Sequence, residues 1–207
     1  ETDAETYSAI FVDGEVDANS DALESAVETT QSYLDYIPSD AGSISWTEAN
    51  NQVINGEAAF LHQGDWAAGQ YRSAEDFEFE SDWDMVPFPG TSEVYQSVID
   101  SFVFPTNNPS PEATEAFLNY AGSVDAQERF NPIKGSIPPR TDVPMDAFGD
   151  FLSRQFEDFQ NSDSQPPTIA HGTGVAPAVQ SSLSETFANF NGTLDVDQAY
   201  QGIRDAF

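Results

Sequence analysis

The sequence predicts an α/β protein. Three observations lead there: short apolar runs alternate with amphipathic stretches of helical length, Pro stands at the ends of the extended runs, and capping residues precede the helical ones. The 207 residues suit one or two domains with an ample core.

In chain order, "SDALESAVETTQSYLDYI" (20–37) places Leu23, Ala26, Val27, Thr30, Tyr33, Leu34 and Ile37 at helical spacing, with Ser20 in the N-cap position. "SWTEANNQVINGE" (45–57) opens with Ser45 and Glu48, a capping box, and closes at Gly56, a C′ residue. "AAFLH" (58–62) reads as a short buried strand and "GDW" (64–66) as the turn after it. "WDMVPFPG" (83–90) and "YQSVIDSFVFP" (95–105) read as extended segments. "SPEATEAFLNYAGS" (110–123) is a helix with Pro111 at its first position. "FGDFLSRQFEDF" (148–159), "APAVQSSLSETFANF" (176–190) and "DVDQAYQGIRDAF" (195–207) complete the helical segments. No internal repeat or long low-complexity linker interrupts them.

The chain carries 36 Asp and Glu against 6 Lys and Arg, a formal charge of −30. A disordered acidic chain would have few aromatics; this one has 16 Phe, 7 Tyr and 3 Trp, which excludes that class. A folded protein adapted to high salt remains. At molar salt the Debye length shrinks to about 3 Å, so the repulsion is screened while the acidic surface stays hydrated. The same charge excludes nucleic acid and anionic membrane surfaces as partners. Without cysteine there is no disulfide, thiolate nucleophile or Cys-based zinc site. No apolar run reaches 18 residues, so no segment reads as a membrane-spanning helix. P-loop, G-x-G-x-x-G, G-x-S-x-G and H-E-x-x-H motifs are absent, and two distant histidines make no metal case; neither metal nor cofactor is expected. With so many carboxylates, any single Asp or Glu is by default part of the solvated surface.

A few residues stand out from that background. Lys134, in "NPIKGSIPPR", is the only lysine; arginine supplies the other five cations. Asp100 is the lone charge in an otherwise uncharged run. His171 is one of two histidines, in the glycine-rich "AHGTGV". Trp46 and Trp66 lie at element ends, where an indole can offer a flat face, whereas Trp83 lies in a strand pattern and reads as core. Sugars have apolar C–H faces that stack on such rings and hydroxyls that need donors and acceptors, which Asp, Lys and His supply. The bland alternatives are a core position for each Trp, an edge-strand charge or cap for Asp100, a surface ion pair for Lys134 and a backbone-satisfied loop residue for His171.

"AGSISWTEANNQVINGEAAFLHQGDWAAGQY", "VIDSFVFP", "NPIKGSIPPR" and "AHGTGVAP", taken together and in order, resemble the C-terminal half of family-1 extracellular solute-binding proteins, the sugar receptors of ABC importers, in their glucose-type branch. The resemblance covers nearly the whole chain. It implies the C-terminal lobe of a two-lobe periplasmic-binding-protein fold, with a short strand-helix excursion into the N-terminal lobe. Residues 1–87 and 132–207 would belong to the C-terminal lobe and 88–131 to the excursion, with most of the N-terminal lobe absent, so that the chain reads as a fragment. The resemblance also implies that Trp46 and Trp66 contact the sugar ring and that Asp100, Lys134 and His171 bond its hydroxyls. Lys134 would lie at a crossover between lobes. The implied protein is extracellular, tethered to the outer face of the cell membrane and monomeric. It hands a monosaccharide to ABC permease subunits without catalysis. Two other readings compete: a carbohydrate hydrolase with paired carboxylates, one of raised pKa, and a surface-layer module with Trp46 and Trp66 both in its core.

Overall fold

A computed structural model describes residues 3–38 and 40–207. The chain divides into two compact units. The first comprises Glu1–Ile44, Pro87–Ile99 and Ser162–Phe207; the second comprises Ser45–Val86 and Asp100–Asn161.

The first unit is helical. It holds α1 (Ala4–Phe11), α2 (Ser20–Leu34), α8 (Pro177–Thr193) and α9 (Val196–Ala206). Ile10, Val16, Leu23, Val27, Leu183, Phe190, Ala199 and Ile203 form its buried core, so the helical spacing in 20–37 and 195–207 does face an interior. The turn between α8 and α9 passes through Leu194 in the left-handed region (φ 55°). Gly202 lets α9 approach α8 closely, because a Cβ there would meet Thr186 at 2.7 Å. Ser20 is not an N-cap: a 3₁₀ turn over Asp17–Asn19 runs directly into α2, so Ser20 is already helical. An extended stretch near 94–97 runs beside 164–167 with isolated parallel bridges at Val94–Ser164 and Ser97–Pro167. The Tyr7 hydroxyl joins that stretch to α1, donating to the Pro167 carbonyl (3.1 Å) and accepting from Gln96 Nε2 (2.9 Å).

The second unit holds α3 (Trp46–Ile54), α4 (Ala67–Tyr71), α5 (Pro111–Ala121), α6 (Val124–Lys134) and α7 (Gly149–Asn161). Its core is aromatic. Trp83 is buried, with Tyr71, Phe79 and Phe151 rings centred 4.9–5.3 Å from its own. Arg154 fastens α7 to the chain after Trp83, donating to Asp84 Oδ1 (2.7 Å) and to the Met85 carbonyl (2.8 Å).

The α/β expectation is met on its helical side only. Among the described residues no strand forms; the runs read as strands at 58–62, 83–90 and 95–105 carry at most isolated bridges. The physical reason is that an apolar extended run marks what a segment is suited to bury, whereas a ladder also needs a neighbour with free N–H and C=O groups. Phe60 and Val103 accordingly stand 87% and 73% exposed. Three helices were not read from the sequence at all, α1, α4 and α6.

Candidate functional site

Trp46 is fixed by the capping box ahead of it. Ser45 Oγ accepts from the Glu48 backbone N–H (3.2 Å), while the Glu48 carboxylate accepts from the Ser45 N–H (2.7 Å) and hydroxyl (2.8 Å). The Ser45 backbone N–H, then its hydroxyl, hold the Glu48 carboxyl below its ordinary pKa. Trp46 is thereby the first residue of α3, and it is 53% exposed. That exposure removes it from the core and with it the surface-layer reading. Trp66 is half-buried at the start of α4. Its indole lies against Gly64, where a Cβ would come within 2.3 Å of the ring, so this position must be glycine while Trp66 keeps its place. Gln70 locks α4 to α3. Its Oε1 accepts from Asn50 Nδ2 (2.9 Å), and its Nε2 donates to Asn51 Oδ1 (2.7 Å) and the Thr47 carbonyl (3.2 Å). The two helices carrying the tryptophans are therefore one polar-bonded pair.

Lys134 is the last residue of α6. The helix continues through Pro132, which removes one i→i−4 donor in a turn where the helix is already ending. Asn131 closes that end. Its carbonyl accepts from the N–H groups of Gly135 (2.8 Å) and Ser136 (3.1 Å), its buried amide donates to Gln127, and its Oδ1 accepts from Ser136 Oγ (2.7 Å). Gly135 is left-handed (φ +83°), the usual C′ glycine. A Cβ there would meet Gly69 N at 3.6 Å and the Asp65 carbonyl at 3.9 Å, and one on Gly69 would meet the Lys134 carbonyl at 3.7 Å. The end of α6 thus rests, backbone to backbone, on the turn that carries Asp65 and Trp66.

At that seam Lys134 Nζ pairs with Asp100 Oδ2 at 3.0 Å; the lysine side chain is 36% exposed and the aspartate 74%. Asp100 lies on an extended stretch outside any strand. A third acidic residue, which sequence reasoning missed, lies on the turn beside this end of α6. Burial pushes the Asp65 carboxyl above the ordinary carboxylate range; the Lys134 ammonium and the backbone N–H groups of Trp66 and Asp65 pull it back, and the Asp100 charge pushes it further up. Asp65 was one of 36 acids, and charge counting could not separate it. Its place between Gly64 and a candidate ligand-facing Trp66 was the available signal.

Four of the five predicted residues, Trp46, Trp66, Asp100 and Lys134, fall in the second unit. His171 belongs to the first, exposed in the turn ahead of α8, where Gln180 Nε2 donates to the Ala170 carbonyl (2.8 Å). The assembled groups have a definite chemistry: an ammonium paired with an exposed carboxylate, next to a turn that carries a half-buried carboxyl and indole surface. They suit a neutral polyhydroxylated ligand.

A sequence model of the bacterial extracellular solute-binding protein family matches residues 4–151. The chain belongs to this family. Among curated solute-binding relatives, a xylose/arabinose-binding protein of Haloferax volcanii is 43% identical over 90% of this chain and 41% of its own length. An uncharacterized ABC transporter extracellular-binding protein of Pyrococcus horikoshii is 35% identical over 97% of this chain and 45% of its own length. A probable sugar-binding periplasmic protein of Brucella suis is 28% identical over 93% of this chain and 47% of its own length. This solute-binding chain thus spans less than half the length of the curated relatives it matches.

Proposed function

We propose that the chain is the C-terminal part of an extracellular sugar receptor. In this reading residues 1–87 and 132–207 form one lobe and 88–131 an excursion into the other, and a monosaccharide is captured in the cleft by lobe closure, without catalysis. The ligand biases the closed state because only there do both lobes bond it. The observation that carries the reading is the Lys134–Asp100 pair at 3.0 Å. A sugar hydroxyl is donor and acceptor at once, so one hydroxyl entering the pair satisfies both, accepting from the ammonium and donating to the carboxylate. The exposed Trp46 and half-buried Trp66 supply faces for C–H stacking. Relatives named as sugar-binding proteins support a monosaccharide of pentose or hexose size. The receptor works as a monomer tethered to the outer face of the membrane and delivers its sugar to ABC permease subunits.

The hydrolase alternative asks for two carboxyls, one with a raised pKa, and Asp65 with Asp100 meets that in part. The lysine that pairs with Asp100, and membership of a family of binding proteins, favour the receptor. Calorimetric titration of the full-length protein in molar salt with xylose, arabinose, glucose and galactose tests the proposal. Saturable binding of at least one is expected. No binding to any of them, or release of sugar from aryl glycosides by the same sample, overturns it.

A further inference from the structure

We propose that the Asn50–Gln70 amide pair is the positioning device for the two tryptophans: it fixes the spacing of Trp46 and Trp66, and with it the size of the sugar ring that the site accepts. The ligand in this proposal rests on the sugar-receptor reading; the positioning rests on hydrogen bonds alone.

Helical spacing sets the geometry. Trp46 opens α3, and Asn50 stands four residues on; Trp66 directly precedes α4, and Gln70 stands four residues on. Residues four apart share a helix face, one turn above the other. Trp66 keeps that register because its own backbone is already right-handed helical (φ −59°, ψ −22°). Each indole is therefore rooted one turn before a member of the same bonded pair. Asn50 Nδ2 donates to Gln70 Oε1 at 2.9 Å. Gln70 Nε2 donates to Asn51 Oδ1 (2.7 Å) and to the carbonyl of Thr47 (3.2 Å), the chain neighbour of Trp46. Gln70 thus holds the first two turns of α3 at three points, and α4 can neither slide along α3 nor roll over it without breaking a bond. All of these residues lie in the second unit.

Directional bonds decide this placement more than apolar packing does. The one fully buried residue of α3 is Asn50 itself; Val53 and Ile54 are only half-buried against the core. Apolar contact is non-directional and tolerates sliding, whereas a hydrogen bond loses strength steeply with angle. Asn50 is also kept at a cost to stability. Its side chain is fully buried, and its Oδ1 has no protein hydrogen-bond partner among the described residues. A buried unpaired carbonyl is destabilising, and a leucine of like shape would carry no such cost. What the amide supplies and leucine cannot is the donor to Gln70. Two indoles of fixed spacing discriminate by size, because a hexose ring carries one hydroxymethyl group more than a pentose ring.

Substitutions in the full-length protein, titrated in molar salt with xylose, arabinose, glucose and galactose, test this. Gln70→Met keeps the side-chain length and removes all three bonds. It should bind the parent's preferred sugar about tenfold more weakly, and the preference between pentose and hexose should shrink. Asn50→Leu should behave alike, and the double variant should be no weaker than either, because one link is broken once. Gln70→Glu should recover most of the loss: its carboxylate still accepts from Asn50, and the Asn51 amide can turn its Nδ2 toward it. Fluorine NMR of fluorotryptophan-labelled protein without sugar reads the spacing directly. In Gln70→Met the Trp46 and Trp66 resonances should shift, while that of Trp83, in the aromatic core, holds its place. Equal movement of all three resonances with a sharp fall in Tm overturns the proposal, since Gln70 would then be a general staple. Shifts confined to Trp46 and Trp66 in a protein that binds none of the sugars keep the positioning role and remove the sugar reading. Sugar binding in the parent that Gln70→Met leaves unchanged in affinity and preference does the reverse.

Discussion

Lys134→Ala in the full-length receptor tests the site most directly, because the structure fixes two different magnitudes for it. Without ligand, the lysine has one ion-pair partner among the described residues, an aspartate side chain 74% exposed. Such a pair contributes about 0.2–1 kcal/mol to stability, less at molar salt. With ligand, in the proposed receptor, the ammonium would donate a charged hydrogen bond, worth about 1.5–3 kcal/mol. Truncation should therefore weaken sugar binding about 10- to 150-fold while Tm moves by only a few degrees at most. Lys134→Arg should restore the ion pair with Asp100 but not the affinity, since a planar fork cannot occupy the volume of an ammonium at the glycine-lined seam. Calorimetry and thermal melts of the parent and both variants in molar salt measure this. The reasoning is refuted if Lys134→Ala loses stability but keeps its affinity, or if arginine serves as well as lysine; either result would make Lys134 a surface cation.

Two further outcomes follow from the charge and from the packing. A formal charge of −30 repels itself when unscreened, so Tm should rise steeply from low to molar KCl; a flat salt dependence would contradict adaptation to high salt. Gly64→Ala places a methyl 2.3 Å from the Trp66 ring and must displace it. Sugar affinity should drop together with a shift in tryptophan emission, and unchanged emission would show that Trp66 is not held as described.

The parts of this molecule that were legible in the sequence are those decided by local chemistry. The Ser45–Glu48 box, Gly56 beyond α3, Pro111 at the head of α5 and the helical spacing of α7, α8 and α9 all depend on residues within one or two turns of each other. The strands failed because pairing is non-local: an apolar run carries no information on whether a neighbour is present to take its hydrogen bonds. α6 was missed because Pro132 reads as a breaker, and only the Asn131 network shows how the helix survives it. Lys134 and Asp100 were singled out by rarity, and the structure pairs them. Rarity could not find Asp65, whose distinction is burial and therefore tertiary.

Rarity of the lysine alone does not make a site, and neither does its ion pair. Four of the five arginines make pairs of the same kind: Arg129 with Asp125, Arg140 with Asp142, Arg154 with Asp84 and Arg204 with Asp17, at 2.6–2.8 Å. Where this chain needs a cation against a single carboxylate, arginine supplies it, and the side-chain exposures of the paired arginines bracket that of Lys134, so solvent access does not explain the exception. The difference is the seat. Lys134 ends a helix that two glycines bring, backbone to backbone, onto the turn that carries Trp66. A guanidinium would saturate Asp100 with a two-pronged bond and stiffen the pair against exchange. An ammonium, with three donors on a flexible stem, can be shared between Asp100 and an incoming hydroxyl. On that argument lysine is kept at residue 134 because a shared cation is needed there.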